Sequence, residues 1–243
     1  MAIDGRKTIL AAAFTSILCG PSQLSLASDN CIDDAMIVFD GSGSMAEMGF
    51  NQLNEPRIFE ARKAVRSAMP QVAPYRRLGL IIYGPGPLDS CDNIDLRFGP
   101  INNAAGPIID AVDGLMPDGD TPLTQAVALA AQTLDYENAP ATVVLVTDGK
   151  ETCGGSPCEL AAILAADGYD TTVHVIGFKV RGDSFVWESE EQDDLFKGRT
   201  VARCLAERTG GQYVSTETVD ELIAALNETL GCSLIGSRAA NFG

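Results

Sequence analysis

The stretch Ala35-Met36-Ile37-Val38-Phe39-Asp40-Gly41-Ser42-Gly43-Ser44 (residues 35–44) decides the fold. Its apolar run is too short for a helix core and suits a strand buried on both faces. It stops at Asp40-Gly41, a turn signal. Leu78–Tyr83 (LGLIIY), Ala141–Thr147 (ATVVLVT) and Thr171–Phe178 (TTVHVIGF) repeat the pattern, and the second of these again ends in Asp-Gly, at Asp148-Gly149. Ile94–Phe98 and Gln212–Ser215 read as shorter strands, the former suited to a sheet edge. Between the strands, Ile58, Ala61, Val65 and Ala68 recur at helical spacing. So do Leu123, Ala126, Val127, Ala130 and Leu134, with Pro122 suited to a first helical turn. Cys158–Ala166, Thr200–Arg208 and Val219–Leu230 complete the helices. Strand and helix alternate down the chain. That predicts one α/β domain over residues 31–232, doubly wound, with a mostly parallel sheet and helices on both faces.

A sheet of this kind binds ligands at the carboxyl ends of its central strands. Three chemistry-bearing loops fall there. The first is Asp40-Gly41-Ser42-Gly43-Ser44, where alternate residues can aim oxygens at one spot. The second is Asp118-Gly119-Asp120-Thr121-Pro122, and the third is Thr147-Asp148-Gly149. Each has a bland reading: a flexible turn, a helix N-cap at Thr121, a strand-end turn. Together they gather hydroxyls and carboxylates, hard oxygen donors that suit Mg²⁺, Mn²⁺ or Ca²⁺.

The segments FDGSGSM (39–45), GDTPL (119–123) and VTDG (146–149) resemble those of the von Willebrand factor type A (VWA) domain family. The likeness extends over nearly the whole chain in element order, and TDGKETCGGSPC and ARCLAERTGG are similar to stretches of bacterial exported members. The resemblance implies a six-stranded sheet with one antiparallel edge strand, matching Ile94–Phe98. It also implies a metal-ion-dependent adhesion site (MIDAS) in which Asp40, Ser42, Ser44, Thr121 and Asp148 hold a divalent cation, directly or through water. The expected function is then binding, not turnover: an open coordination position takes an Asp or Glu carboxylate from a protein partner.

The amino terminus reads as an export signal. Arg6 and Lys7 precede the apolar run Ile9–Cys19, and Ser25-Leu26-Ala27 offers a cleavage site after Ala27. Residues 1–27 are therefore expected to be a signal peptide, with a periplasmic or extracellular destination; residues 233–243 form a C-terminal tail. No later apolar run reaches the length of a membrane span. Cys19 leaves with the signal. Cys31, Cys91, Cys153, Cys158, Cys204 and Cys232 remain, an even set that favours disulfides in an oxidising compartment. A Cys31–Cys232 bridge would staple the ends. Cys153 and Cys158 either pair locally or reach Cys91 and Cys204. Zinc is disfavoured because there is no CxxC pair and no nearby histidine.

Charge and composition narrow the function classes. Against 33 acidic residues stand 17 basic ones, a net charge of −16, which argues against a nucleic-acid partner. The only histidine, His174, lies inside a strand, so a serine hydrolase built on Ser42 or Ser44 lacks a placed base. A phosphatase would want a second acid where Ser42 stands, and no P-loop lysine follows the glycines. The alternatives to an adhesion module are a passive disulfide-stapled scaffold with a structural metal and, behind it, a metal-assisted hydrolase. Arg181-Gly182-Asp183 and the sequon Asn227-Glu228-Thr229 carry little weight. The acidic insertion Val180–Lys197, with Phe185 and Trp187, reads as a solvated loop or a partner-binding rim.

Overall fold

The computed structural model describes residue 1 and residues 33–48, 55–86, 90–179 and 202–231. The signal segment, Cys31, Cys232, the C-terminal tail, the Arg181-Gly182-Asp183 tripeptide and the insertion with Phe185 and Trp187 lie outside the described residues.

The chain alternates as its periodicity requires. β1 (Ala35–Asp40) leads through a 3-10 turn (Gly43–Ala46) to α1 (Arg57–Val72) and β2 (Leu78–Tyr83). The order continues with β3 (Ile94–Ile101), α2 (Ala105–Asp113), α3 (Leu123–Thr133), β4 (Pro140–Thr147), α4 (Pro157–Asp167) and β5 (Asp170–Phe178). Residues 202–208 form α5, followed by β6 (Tyr213–Thr216) and α6 (Val219–Leu230). The strands form one sheet in the order β3-β2-β1-β4-β5-β6. All neighbours are parallel except β2 and β3. This is the expected doubly wound sheet with an antiparallel edge.

Each strand of the sheet centre feeds two cores at once, because successive side chains point to opposite faces. From β1, Ala35, Ile37 and Phe39 join one core with α1, α2 and α6. Met36 and Val38 join the other with α3, α4 and α5. β4 divides the same way: Val144 and Val146 face one core, Ala141, Val143 and Leu145 the other. All six residues of β1 and of β2 are buried. A strand covered on both faces has no polar face to alternate with, which is why these segments read as continuous apolar runs.

Two elements depart from expectation. β3 runs on past Phe98 to Ile101 through Gly99-Pro100, with its pairing to β2 shifting register on the way. An edge strand tolerates proline because one side of its backbone needs no ladder partner. α2 follows at once and buries Ile108 and Val112. Its Gly106-Pro107 pair looks like punctuation in sequence, yet the proline falls in the first turn, where no intrahelical donor is lost.

α6 begins with a capping box: Thr218 accepts from the Glu221 N–H, and the Glu221 carboxylate accepts from the Thr218 N–H. The sequon threonine, Thr229, is buried in this helix and donates to the Ala225 carbonyl at 2.8 Å. Among the described residues, no helix is long and apolar enough to cross a membrane.

Candidate metal centre

β1 and β4 are parallel neighbours in the middle of the sheet, so their carboxyl ends bring Asp40 and Asp148 to one place. The loop after β1 turns sharply. The Asp40 Oδ1 accepts from the Ser42 N–H at 2.9 Å and from the Ser42 hydroxyl at 2.6 Å. Ser42 Oγ lies 3.0 Å from Ser44 Oγ, and Ser44 donates to Asp148 Oδ1 at 2.6 Å. A continuous chain, Asp40–Ser42–Ser44–Asp148, thus spans the two strand ends. Asp40, Ser42, Thr121 and Asp148 are buried, and Ser44 is half-buried.

Thr121 arrives on the second loop, which is stitched to the first by backbone hydrogen bonds. The Gly43 N–H donates to the Gly119 carbonyl at 3.0 Å, and the Asp118 N–H to the Gly41 carbonyl at 3.0 Å. Gly119 has φ +75°, and a Cβ there would collide with the Gly84 carbonyl oxygen, so glycine is required. The third loop locks the second from the other side. The Thr121 N–H donates to Thr152 Oγ1 at 2.8 Å, and the Thr152 N–H returns to the Thr121 carbonyl at 3.2 Å. The Glu151 carboxylate accepts from the N–H and hydroxyl of Thr124, satisfying a donor in the first turn of α3. Thr121 is therefore not the side-chain cap of that helix, whose first turn Glu151 serves from outside.

The donor set fits a hard cation on its own chemistry. A Cβ added at Gly149 would lie 3.4 Å from Ser44 Oγ and 4.0 Å from Thr121 Oγ1. Both hydroxyls thus face the same small space beside a residue without a side chain. Two carboxylates and three neutral hydroxyls around it match the oxygen preference of Mg²⁺, Mn²⁺ or Ca²⁺. The charges are held under tension. Burial, then the nearby Asp40 charge, raises the Asp148 carboxyl to about 7, opposed by the Ser44 hydroxyl and the Arg57 guanidinium.

Three further residues support the site from beneath and beside, and two of them, Tyr83 and Arg57, are not singled out by the sequence. Thr147 donates to Asp40 Oδ2 at 2.6 Å, and Tyr83 OH donates to Thr147 Oγ1 at 3.2 Å. Tyr83 is wholly buried, and that burial together with the Asp40 charge pushes its phenol well above the ordinary range, so it stays a donor. Arg57, the first residue of α1, reaches Asp148 Oδ2 at 3.0 Å. Thr147 stood inside the VTDG segment and was the one findable member. A buried tyrosine and an arginine at the start of an amphipathic helix have no distinctive local signal.

The structure chooses between the cysteine alternatives. Cys153 pairs with Cys91 and Cys158 with Cys204, so the local Cys153–Cys158 loop does not form. Cys91, Asp120 and Cys153 do come together, but both sulfurs are in the disulfide and offer no thiolate to a metal.

His174 lies in mid-strand opposite Val144, where its Nδ1 accepts from the Gln212 N–H at 3.2 Å. Burial depresses its pKa, the Arg76 charge adds to this, and Glu228 opposes it. The folded state therefore binds fewer protons than the unfolded state between the folded value and the unfolded value of about 6.5. Its contribution is complete above that unfolded value and is lost as pH falls through the folded one. His174→Gln, which keeps an acceptor for Gln212, is expected to lose less stability than the wild type between pH 7 and pH 5. Urea midpoints across that range check it; parallel curves would show that His174 does not contribute.

The comparisons with known proteins agree with this geometry. Residues 35–151, which carry all three loops, match the von Willebrand factor type A domain model. YwmD of Bacillus subtilis, an uncharacterized protein, is 30% identical over 227 residues, covering 88% of this chain and 93% of YwmD. The chain belongs to the von Willebrand factor type A domain family. Solved structures share the A-domain fold at low identity. The PilB minor pilin from Streptococcus sanguinis superposes with a TM-score of 0.59 at 17% identity, covering 81% of this chain and 60% of that one. Proximal thread matrix protein 1 from the mussel byssus, with a zinc-occupied MIDAS motif, superposes with a TM-score of 0.53 at 17% identity, covering 84% of this chain and 46% of that one. In this A domain the five positions Asp40, Ser42, Ser44, Thr121 and Asp148 all stand at the mouth formed by the three loops.

Proposed function

We propose that this A domain is an exported protein-binding module, not an enzyme, and that Asp40, Ser42, Ser44, Thr121 and Asp148 form a MIDAS for Mg²⁺, with Mn²⁺ or Ca²⁺ as substitutes. The observation that carries the reading is the hydrogen-bonded chain from Asp40 through Ser42 and Ser44 to Asp148, with Thr121 across Gly149. When bound, the cation would supply positive charge to a carboxylate oxygen of a partner protein. The chain's own residues prepare for that. Thr147 and the buried Tyr83 hold Asp40 in one orientation, and the Thr121–Thr152 pair fixes the second loop against the third. Three of the five donors are neutral hydroxyls, so Asp40 and Asp148 alone among them would offset the charge of a bound cation. The disulfides among the described residues favour an oxidising compartment, periplasmic or extracellular. A zinc-bearing byssus protein and a pilin among the fold neighbours support a metal-dependent surface role.

Linkage supplies the test that separates this module from a scaffold with a structural metal. If a carboxylate fills an open metal position, carboxylate and metal must strengthen each other. The apparent Mn²⁺ affinity of chelator-stripped protein is expected to tighten at least about threefold in acetate, after correction for acetate's own weak Mn²⁺ binding. Equal affinities with and without acetate would leave the scaffold reading in its place.

A further inference from the structure

Arg57 is the one charged group on α1 that reaches the site. Its side chain is 3% exposed, and its Nη1 lies 3.0 Å from Asp148 Oδ2, 3.4 Å from the Ser44 carbonyl and 3.6 Å from Glu47 Oε2. Glu47 is largely exposed at 67%, so water screens that pairing. Asp148 is fully buried and has no such relief. Both of its oxygens are engaged: Oδ1 by the Ser44 hydroxyl, Oδ2 by the guanidinium.

We infer that Arg57 is a positioning residue that acts as a fixed counter-cation and limits how tightly the site holds a divalent metal, so that a partner's carboxylate is needed to complete it. The inference rests on the metal-site reading above. The charges give the reason. Asp40 and Asp148 bring two negative charges into a buried site, and Arg57 returns one positive charge. A divalent cation then leaves a net positive site, which draws in an anion. Without Arg57 the same cation would be neutralised by the two carboxylates, and the pull on an incoming carboxylate would fall. Arginine suits the task because its guanidinium stays charged when buried, and its Nη1 alone reaches both Asp148 and the Ser44 carbonyl.

A merely structural role makes the opposite prediction. Arg57 also ties the first loop, at Ser44, to the third, at Asp148. If that tie were its whole contribution, removing it would loosen Asp148 and weaken metal binding. Mn²⁺ titration of wild type, Arg57→Gln and Arg57→Lys, each with and without acetate, decides between the two. Arg57→Gln is expected to bind Mn²⁺ about tenfold tighter, as removal of one like charge from a partly dehydrated site implies, and to lose most of the acetate effect. Arg57→Lys keeps the charge on a shorter side chain with a different shape, and is expected to stay within about twofold of wild type. Equal or weaker Mn²⁺ binding by Arg57→Gln would overturn the inference. Should Arg57→Gln fail to fold, a large loss of Mn²⁺ affinity in Arg57→Lys would overturn it instead. Melting temperatures in EDTA read Arg57 without metal: Arg57→Gln is expected to melt several degrees lower than wild type and Arg57→Lys close to it. If wild type binds no Mn²⁺, the metal reading fails, and an EDTA melting temperature of Arg57→Gln equal to wild type would overturn the counter-cation as well.

Discussion

Asp40→Asn is expected to lose divalent-cation binding by about a hundredfold or more while keeping the fold. Asp40 is wholly buried and provides half of the site's carboxylate charge. Removing a charge next to a dehydrated divalent ion costs several kcal/mol even at an effective dielectric constant of about 20. The packing consequences are smaller. Asn has nearly the same shape: its carbonyl oxygen can keep accepting from the Ser42 N–H and hydroxyl, and the Thr147 hydroxyl can rotate to accept from its amide. The substitution also removes the like charge that helps to raise the Asp148 carboxyl, so metal-free stability should hold or rise. Mn²⁺ titration beside a thermal melt in EDTA checks both halves. A well-folded Asp40→Asn that binds Mn²⁺ as wild type does would remove Asp40 from the ligand set.

Loss of the disulfides is expected to be the largest stability effect. Cys91–Cys153 closes 62 residues of chain and Cys158–Cys204 closes 46. In the chain-entropy account, loops of these lengths each constrain the unfolded state by about 4 kcal/mol. The two loops do not overlap in sequence, so the effects should add approximately. Their consequences for the site should differ. Cys153 follows Glu151 and Thr152, the residues that clamp Thr121 and the start of α3, and its own N–H donates to Glu151 Oε1 at 2.8 Å. Cys91→Ser/Cys153→Ser should therefore lose metal affinity as well as stability. The Cys158–Cys204 bridge joins α4 to α5 and holds none of the residues that clamp Thr121, so Cys158→Ser/Cys204→Ser should lose stability alone. Denaturant midpoints and Mn²⁺ titrations of the two double variants check this; equal metal affinity in both would show that the Cys91–Cys153 bridge does not support the second and third loops.

What could be read from sequence follows from where information is local. β1, β2 and β4 announced themselves because burial on both faces keeps most polar residues out of the strand, and β5 did so by alternation, with half-buried Thr172 and His174 between buried neighbours. The three loops were legible because metal ligands must be particular oxygen-bearing residues at particular offsets. α2 was missed because Gly106-Pro107 resembles a turn until one knows that it opens a helix against the Ile108–Val112 core face. The extent of β3 was missed because proline is tolerated only by an edge strand, and edge position is a property of the assembled sheet. Disulfide pairing needed distances that no spacing supplies. Arg57 is 91 residues away in sequence from the aspartate it touches, and nothing local to it marks that contact.

The most direct test of the account is calorimetric titration of Mg²⁺ and Mn²⁺ into chelator-stripped, oxidised protein lacking residues 1–27, beside an Asp148→Ala control. The account predicts saturable one-site binding to the wild type that the control loses. Heats from the folded wild type that match those of the control would contradict it, and the three loops would then be a polar cluster without a metal.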